Sequence, residues 1–148
     1  MNTNWRRGIL WALNALGAFV GAWALAAPRS FYDGFPMPGL LGAWVASDGP
    51  YNEHLVRDVG ELNLALAVVT VVALVVLGPV LVRAVLAGWL VYSVPHLVYH
   101  LRHMQPFATD DQVSIGTSLA IVPLVAVALL VIDLRAPRAP ARGVSTSA

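Results

Sequence analysis

Four long apolar stretches limit what this chain can fold into more than any other feature of its sequence. They cover residues 9–27, 60–82, 84–101 and 113–134, and each approaches the ~20 residues that a helix needs to cross a bilayer core. Of the 148 residues, 58% are hydrophobic and 11% are charged, whereas soluble domains have ~25% charged residues. We therefore predict an all-α integral membrane four-helix bundle, with a single domain over residues 1–134 and the lipid bilayer as its partner.

The segments outside the spans are expected to differ in order. Residues 28–59 are rich in proline and aromatic residues, which predicts a partly ordered outer loop at the headgroup level between helices 1 and 2, with a short interfacial helix over 39–46. The second helix begins at either Glu53 or Gly60, and Pro95 predicts a kink in the third. Residues 135–148 are expected to form a disordered cytoplasmic tail.

The first apolar stretch also has features of a signal peptide. Two arginines precede it, and the small residues Ala24, Ala26 and Ala27 come before Pro28. We favour an uncleaved helix because the stretch is longer than a usual signal-peptide core and is interrupted by Asn14.

The distribution of arginine predicts how the spans are oriented. Basic residues concentrate on the cytoplasmic side of membrane proteins, so the richer side identifies the cytoplasm and places both termini there. The use of arginine alone as the basic residue, with abundant alanine, valine and leucine, indicates a multi-pass protein of a bacterial plasma membrane. The predicted cytoplasmic side carries Arg6, Arg7, Arg83, Arg135, Arg138 and Arg142, and the predicted outer side carries Arg29, Arg57 and Arg102.

Two ladders of ionisable residues lie at the predicted outer ends of helices 2 and 3. The third helix carries His96, His100 and His103 at positions i, i+4 and i+7, which share one helix face. The second helix repeats this spacing in a set that mixes histidine with carboxylates, namely His54, Asp58 and Glu61. Because the two helices are antiparallel, we expect the ladders to converge in the outer leaflet.

A metal or redox-linked site is the sharpest hypothesis for these ladders. Imidazole and carboxylate ligands suit Zn, Fe or Cu, and the absence of cysteine excludes a thiolate site. Haem is a lesser variant that would need one imidazole from each helix, His54 and His96. The candidate metal ligands are His96, His100, Glu61, Asp58 and His54.

Other roles are compatible with the same residues. A structural polar network could fasten the helices together through Arg57, Asn63, Arg102 and His103. The hydroxyls of Ser114, Thr117 and Ser118 could add hydrogen bonds to the ladder residues. Histidine beside a carboxylate could also handle protons. In the network hypothesis the protein is a non-catalytic subunit or scaffold, and the sequence does not decide whether it is an enzyme. It contains no motif for nucleic-acid binding, a phosphate loop or a Ser-His-Asp nucleophile.

A GxxxG pair in the first helix predicts a close helix contact. Gly17 and Gly21 would let another helix approach closely, and we expect them to support a homo-oligomer or contact with a membrane partner.

The general plan resembles the DoxX-like group of small four-helix bacterial membrane proteins. The features that carry this resemblance are Arg7 and Gly8 before the first span, the GxxxG pair, Pro28 after that span and the short hairpin from Gly78 to Arg83. It covers the architecture of residues 5–134 and implies a quinone-linked or redox-stress role. It transfers no catalytic residue to this chain.

Overall fold

A computed structural model describes residues 3–135 and shows an all-helical protein. The helices are α1 (Thr3–Ala26), α2 (Pro28–Gly34), α3 (Trp44–Asp48), α4 (Glu53–Val76), α5 (Pro79–Arg102) and α6 (Thr109–Arg135). Four of them, α1, α4, α5 and α6, are long and apolar enough to cross a membrane. The predicted fold class is confirmed. The tail predicted to be disordered lies outside the described residues, apart from Arg135.

The boundary between the second and third spans differs from the prediction. Helix α4 begins at Glu53 because the Asn52 side chain accepts a hydrogen bond from the Leu55 amide at 3.2 Å, a usual N-terminal cap. It ends at Val76, and Leu77 adopts a left-handed conformation with φ of 50°. Pro79 then starts α5, where its missing amide proton costs no helical hydrogen bond. The hairpin is therefore Leu77–Gly78, and Arg83 lies inside α5.

The segment predicted as an outer loop contains two short helices. Pro28 occupies the first turn of α2, a position that suits its fixed φ. The interfacial helix predicted over 39–46 is instead α3 at Trp44–Asp48, because a turn precedes it in which Gly39 has φ of +73°. Such a left-handed residue cannot continue a right-handed helix.

Glycine packing holds α1 against α4 within the chain. A Cβ atom added to Gly21 would lie 2.9 Å from the Gly60 carbonyl oxygen, and one added to Gly17 would lie 3.0 Å from the Trp89 ring. Both glycines are buried. The close approach that they permit is used by α4 and α5 of the same chain, and the homo-oligomer or membrane partner expected through them stays a prediction.

The spanning helices form two pairs, α1 with α4 and α5 with α6, and the pairs meet most closely near one end. We call this the terminus end, since Thr3, Arg135 and the α4–α5 hairpin lie there, and the opposite end the loop end. The two pairs share a core formed by Leu10, Leu13, Ala73, Leu74, Val82, Val85, Leu86, Trp89, Ala126 and Leu129. Within this core the Trp89 indole donates a hydrogen bond to Thr70 Oγ1 at 3.0 Å.

A buried ionic cluster joins three helices at the terminus end. The Asp133 side chain of α6 is 2% exposed and lies 2.6 Å from Arg6 Nη2 of α1. Arg83 of α5 donates from Nε to Asp133 Oδ2 at 2.7 Å and from Nη2 to its carbonyl oxygen at 3.1 Å. Asp133 is not among the ionisable residues that the sequence predicts to interact. One aspartate thus ties α1, α5 and α6 together.

Candidate functional site

A cavity of about 780 Å³ lies between the two helix pairs in the loop-end half of the bundle. All four spanning helices contribute to its walls, and residues 35–50, which we call the lid, close it at the loop end. Most of the lining is apolar, including Leu16 and Phe19 of α1, Leu55 of α4 and Leu119 of α6. The volume and lining are typical of a site for a small organic molecule.

One face of α5 contributes three polar side chains to the cavity wall. Ser93, His96 and His100 follow each other at helical spacing, and all three line the cavity. Ser93 is 4% exposed, and neither its Oγ nor the buried His100 Nδ1 has a hydrogen-bond partner among the described residues. Buried polar atoms without partners are costly, so these two atoms identify the place where a ligand's polar group would be stabilised.

Ring contacts fix the histidines of this face. His96 stacks on Tyr92 with ring centroids 5.7 Å apart and an interplanar angle of 14°, and it meets His100 edge to face at 4.7 Å. The Tyr92 hydroxyl accepts a hydrogen bond from Asn63 Nδ2 at 3.1 Å. Asn63 therefore connects α4 to the aromatic residues that position His96.

The lid is attached at both of its sides. On the α6 side, Asp111 Oδ1 accepts from the Trp44 indole at 2.8 Å and from the Gly42 amide at 3.4 Å. On the α2 side, the Tyr32 hydroxyl donates to the Gly49 carbonyl oxygen at 2.8 Å. These contacts hold Trp44 and Asp48 over the cavity, where both line it.

An arginine reinforces the α2 side of the lid from outside. The Arg29 guanidinium lies 4.9 Å from the Tyr51 ring centroid and 5.4 Å from that of Tyr32. Its hydrogen bond to Asp33 raises the pKa of Arg29, so the cation over these rings persists at any physiological pH. Burial raises the pKa of Tyr51, and the charge of Glu53 adds to the shift.

The ladder on α4 lies outside the cavity. His54 Nδ1 is 3.4 Å from Asp58 Oδ1, and their side chains are 87% and 48% exposed. Glu61 is also exposed, and none of the three lines the cavity. The structure thus places these three side chains on the exposed face of α4, whereas His96 and His100 line the cavity.

A metal centre receives no support from this arrangement. Within residues 3–135, no group of three or more histidine, aspartate or glutamate side chains is placed to hold a metal ion. The haem variant is equally unsupported, because His54 points away from the cavity that His96 lines.

The residues predicted to form a structural network have separate partners. Arg57 pairs with Glu53 at 2.8 Å, rather than with Asp58 or Glu61, and donates to the Leu25 carbonyl oxygen at 2.6 Å. His103 contacts the Tyr99 carbonyl oxygen at 2.8 Å through Nδ1, and Arg102 is exposed at the end of α5. Of these four residues only Asn63 lines the cavity.

The three hydroxyls predicted near the ladders all bond back to carbonyl oxygens of their own helix. The donor–acceptor distances are 2.9 Å for Ser114, 2.7 Å for Thr117 and 3.1 Å for Ser118, and of the three only Ser118 lines the cavity.

Four residues that line the cavity were not predicted from the sequence, namely Tyr92, Ser93, Trp44 and Asp48. Ser93 and Tyr92 precede His96 by three and four positions, so helical spacing was a usable signal for both. For Trp44 and Asp48 the sequence offered none, because their position depends on how the lid folds back over the bundle.

Comparison with known proteins gives no match: neither a protein-family model, nor a curated protein, nor a solved structure is similar to this chain. The resemblance to DoxX-like proteins therefore stays a prediction.

Proposed function

We propose that this multi-pass membrane protein binds a lipophilic small molecule in the cavity between its helix pairs. The observation that carries the proposal is the pair of buried, unpartnered polar atoms, Ser93 Oγ and His100 Nδ1, on the α5 wall of a mainly apolar cavity of about 780 Å³. These atoms belong to residues seven positions apart on one helix, ~10 Å along its axis, so a ligand with an apolar body and more than one hydrogen-bonding group would satisfy both. Burying the apolar body away from water stabilises the complex.

The ligand reaches the cavity from the bilayer. Several apolar side chains line the cavity and are still exposed, among them Leu16 at 42%, Phe19 at 52% and Leu55 at 53%. The buried core that the two helix pairs share lies toward the terminus end, and these exposed side chains continue the apolar cavity wall to the surface that faces lipid. A molecule dissolved in the membrane thus has a route that avoids water.

The test is to fill the cavity and measure what copurifies. Leu119→Trp places a large ring in the cavity from α6, and Leu124→Trp, at a 67% exposed position of the same helix, is the matched control. Organic extracts of both variants and of the unchanged protein are compared by mass spectrometry with extracts of the membrane. We expect one lipophilic species to be enriched with the unchanged protein and the control, and lost from Leu119→Trp. Enrichment of no species would refute the proposal, and recovery of a quinone would support the redox role.

We also propose that the termini are cytoplasmic and that the loop end faces the outside of a bacterial plasma membrane. The arginine distribution supports this orientation. Since the chain has no cysteine, single cysteines at exposed Ser47 and exposed Arg135 can be labelled in intact cells with a membrane-impermeant maleimide. We expect labelling at position 47 and none at position 135, and the reverse result would invert the orientation.

A second candidate function, that of a subunit in a membrane assembly, is favoured by Glu61. This residue is exposed on α4, eight residues from the helix start, which is ~12 Å along the axis. A carboxylate at that depth is costly without a partner, and a cationic side chain of another membrane chain would stabilise it. Chemical crosslinking of Glu61→Gln beside the unchanged protein tests this, because the subunit role predicts loss of a crosslinked partner.

A further inference from the structure

The loop-end half of the cavity combines aromatic rings with one carboxylate. Phe31, Phe35, Trp44 and Tyr92 line it, and Asp48 is its acidic residue. No arginine lines the cavity, and no cationic nitrogen of residues 3–135 lies within ion-pairing distance of Asp48. His96 and His100 are titratable side chains of α5 that line the same cavity.

Aromatic faces and an unpaired carboxylate are the groups that recognise an organic cation. Ring faces attract a positive charge through their quadrupoles, and the attraction increases when water is excluded. The carboxylate supplies the counter-charge, and the anion of a lipid phosphate would meet no arginine in this wall. We infer that the ligand is a lipophilic cation, such as a protonated amine, whose charge lies between Asp48 and the aromatic rings. This inference rests on the proposed function and narrows its ligand class.

The charge distribution at the loop end agrees with this ligand class. Among residues 3–135, every acidic side chain except that of Asp133 lies at the loop end or near it, together with three arginines, namely Arg29, Arg57 and Arg102. The surface around the cavity is therefore net acidic, and such a field concentrates cations near their site. Arg57 is neutralised further by Glu53, and Arg29 by Asp33.

Two ions of nearly equal shape and opposite charge provide the test. Radiolabelled tetraphenylphosphonium and tetraphenylborate are bound to the purified full-length protein at pH 8, above the ordinary imidazole pKa of ~6.5, so that imidazole charge is minimised. Uptake by Leu119→Trp, whose cavity is filled, is subtracted as partition into detergent. We expect specific binding of the phosphonium with an affinity at least about tenfold higher than that of the borate, equal to ~1.4 kcal/mol.

The carboxylate is tested with an isosteric pair of variants. Asp48→Asn should weaken phosphonium binding about tenfold, whereas Asp110→Asn, at an exposed position that does not line the cavity, should leave it unchanged. Equal specific binding of the two ions, or equal affinities in the two variants, would overturn the cation inference while leaving a lipophile site in place. Enrichment of no lipophile in the extracts would instead remove the proposed function itself. If Asp48→Asn does not fold, the comparison of the two ions in the unchanged protein still decides.

Discussion

The two ends of the bundle are built from the same four helices but are packed differently. At the terminus end the helix pairs close on an apolar core around Leu86 and Leu129, each with 0% exposure, and Asp133 forms ion pairs with both Arg6 and Arg83. At the loop end a cavity lies between the pairs, its wall holds the unpartnered Ser93 Oγ and His100 Nδ1, and the lid covers it. The terminus end therefore joins the helices directly, whereas the loop end leaves the space in which we propose that a ligand binds.

The largest expected effect comes from breaking the ionic cluster. Asp133→Ala would leave two arginines facing an apolar interior, and loss of one partner from a buried ion pair costs roughly 3 kcal/mol or more. We expect a large fall in the melting temperature of the detergent-solubilised protein. Asp33→Ala removes the exposed ion pair with Arg29 at the loop end, and because solvent screens such a pair we expect a much smaller fall. Equal melting temperatures for the two variants would end the distinction between the ends.

Overpacking the seam between α1 and α4 comes next. A Cβ atom at Gly21 would lie 2.7 Å from Leu64 Cγ and 2.9 Å from the Leu64 backbone nitrogen. Gly21→Ala should therefore destabilise the protein by ~1–3 kcal/mol, measured by thermal unfolding. Gly8→Ala, where nothing lies within 4 Å of the added atom, should be neutral or stabilising because alanine favours the helix. An unfolding curve for Gly21→Ala that matches the unchanged protein would show that α1 can move away from α4.

A single hydrogen bond tests the region where the dry core meets the cavity. Trp89→Phe removes the indole donor to Thr70, which is completely buried, and should cost ~1 kcal/mol. Trp11→Phe, at a 58% exposed position, should change stability by less than ~0.5 kcal/mol. If Trp89→Phe and Trp11→Phe have the same melting temperature, the hydrogen bond to Thr70 contributes nothing to holding α5 on α4.

The smallest effect on stability is expected at the lid. Asp111→Ala removes the acceptor shared by Trp44 and Gly42, and because the site is partly exposed we expect a loss below ~1 kcal/mol. Hydrogen exchange over residues 42–48 should nevertheless become faster, since local opening no longer breaks these bonds. Asp110→Ala is the control, and similar exchange rates in both variants would contradict a lid held by Asp111.

The sequence was sufficient to predict the spans and one part of the site. Length and hydropathy predicted α1, α4, α5 and α6, and Glu53 was one of the two starts expected for α4. Helical spacing placed His96 and His100 together on one face of α5. The same rule placed His54, Asp58 and Glu61 together, but periodicity groups residues on a face without saying which way the face points. Only the packing of the folded bundle shows that the side chains of His54, Asp58 and Glu61 are exposed.

Long-range pairing explains most of what was missed. Asp133 lies fifty positions from Arg83 and still farther from Arg6, and nothing local links the three. The GxxxG pair was correctly expected to pack closely, yet its partner, Gly60, belongs to the same chain. The cavity depends on the separation of two helix pairs, which is a property of the assembled bundle and of no single stretch of sequence.

The position of Asp133 also orders events during biosynthesis. It lies two residues before the end of α6 at Arg135, so the ribosome adds it after all of α1 and α5 and after nearly all of α6. Until then Arg6 and Arg83 lack the buried carboxylate that permits them to pack at the terminus end, and water or lipid headgroups must solvate them. The last span therefore completes the bundle, and a chain truncated before residue 133 has both arginines but no means of closing around them.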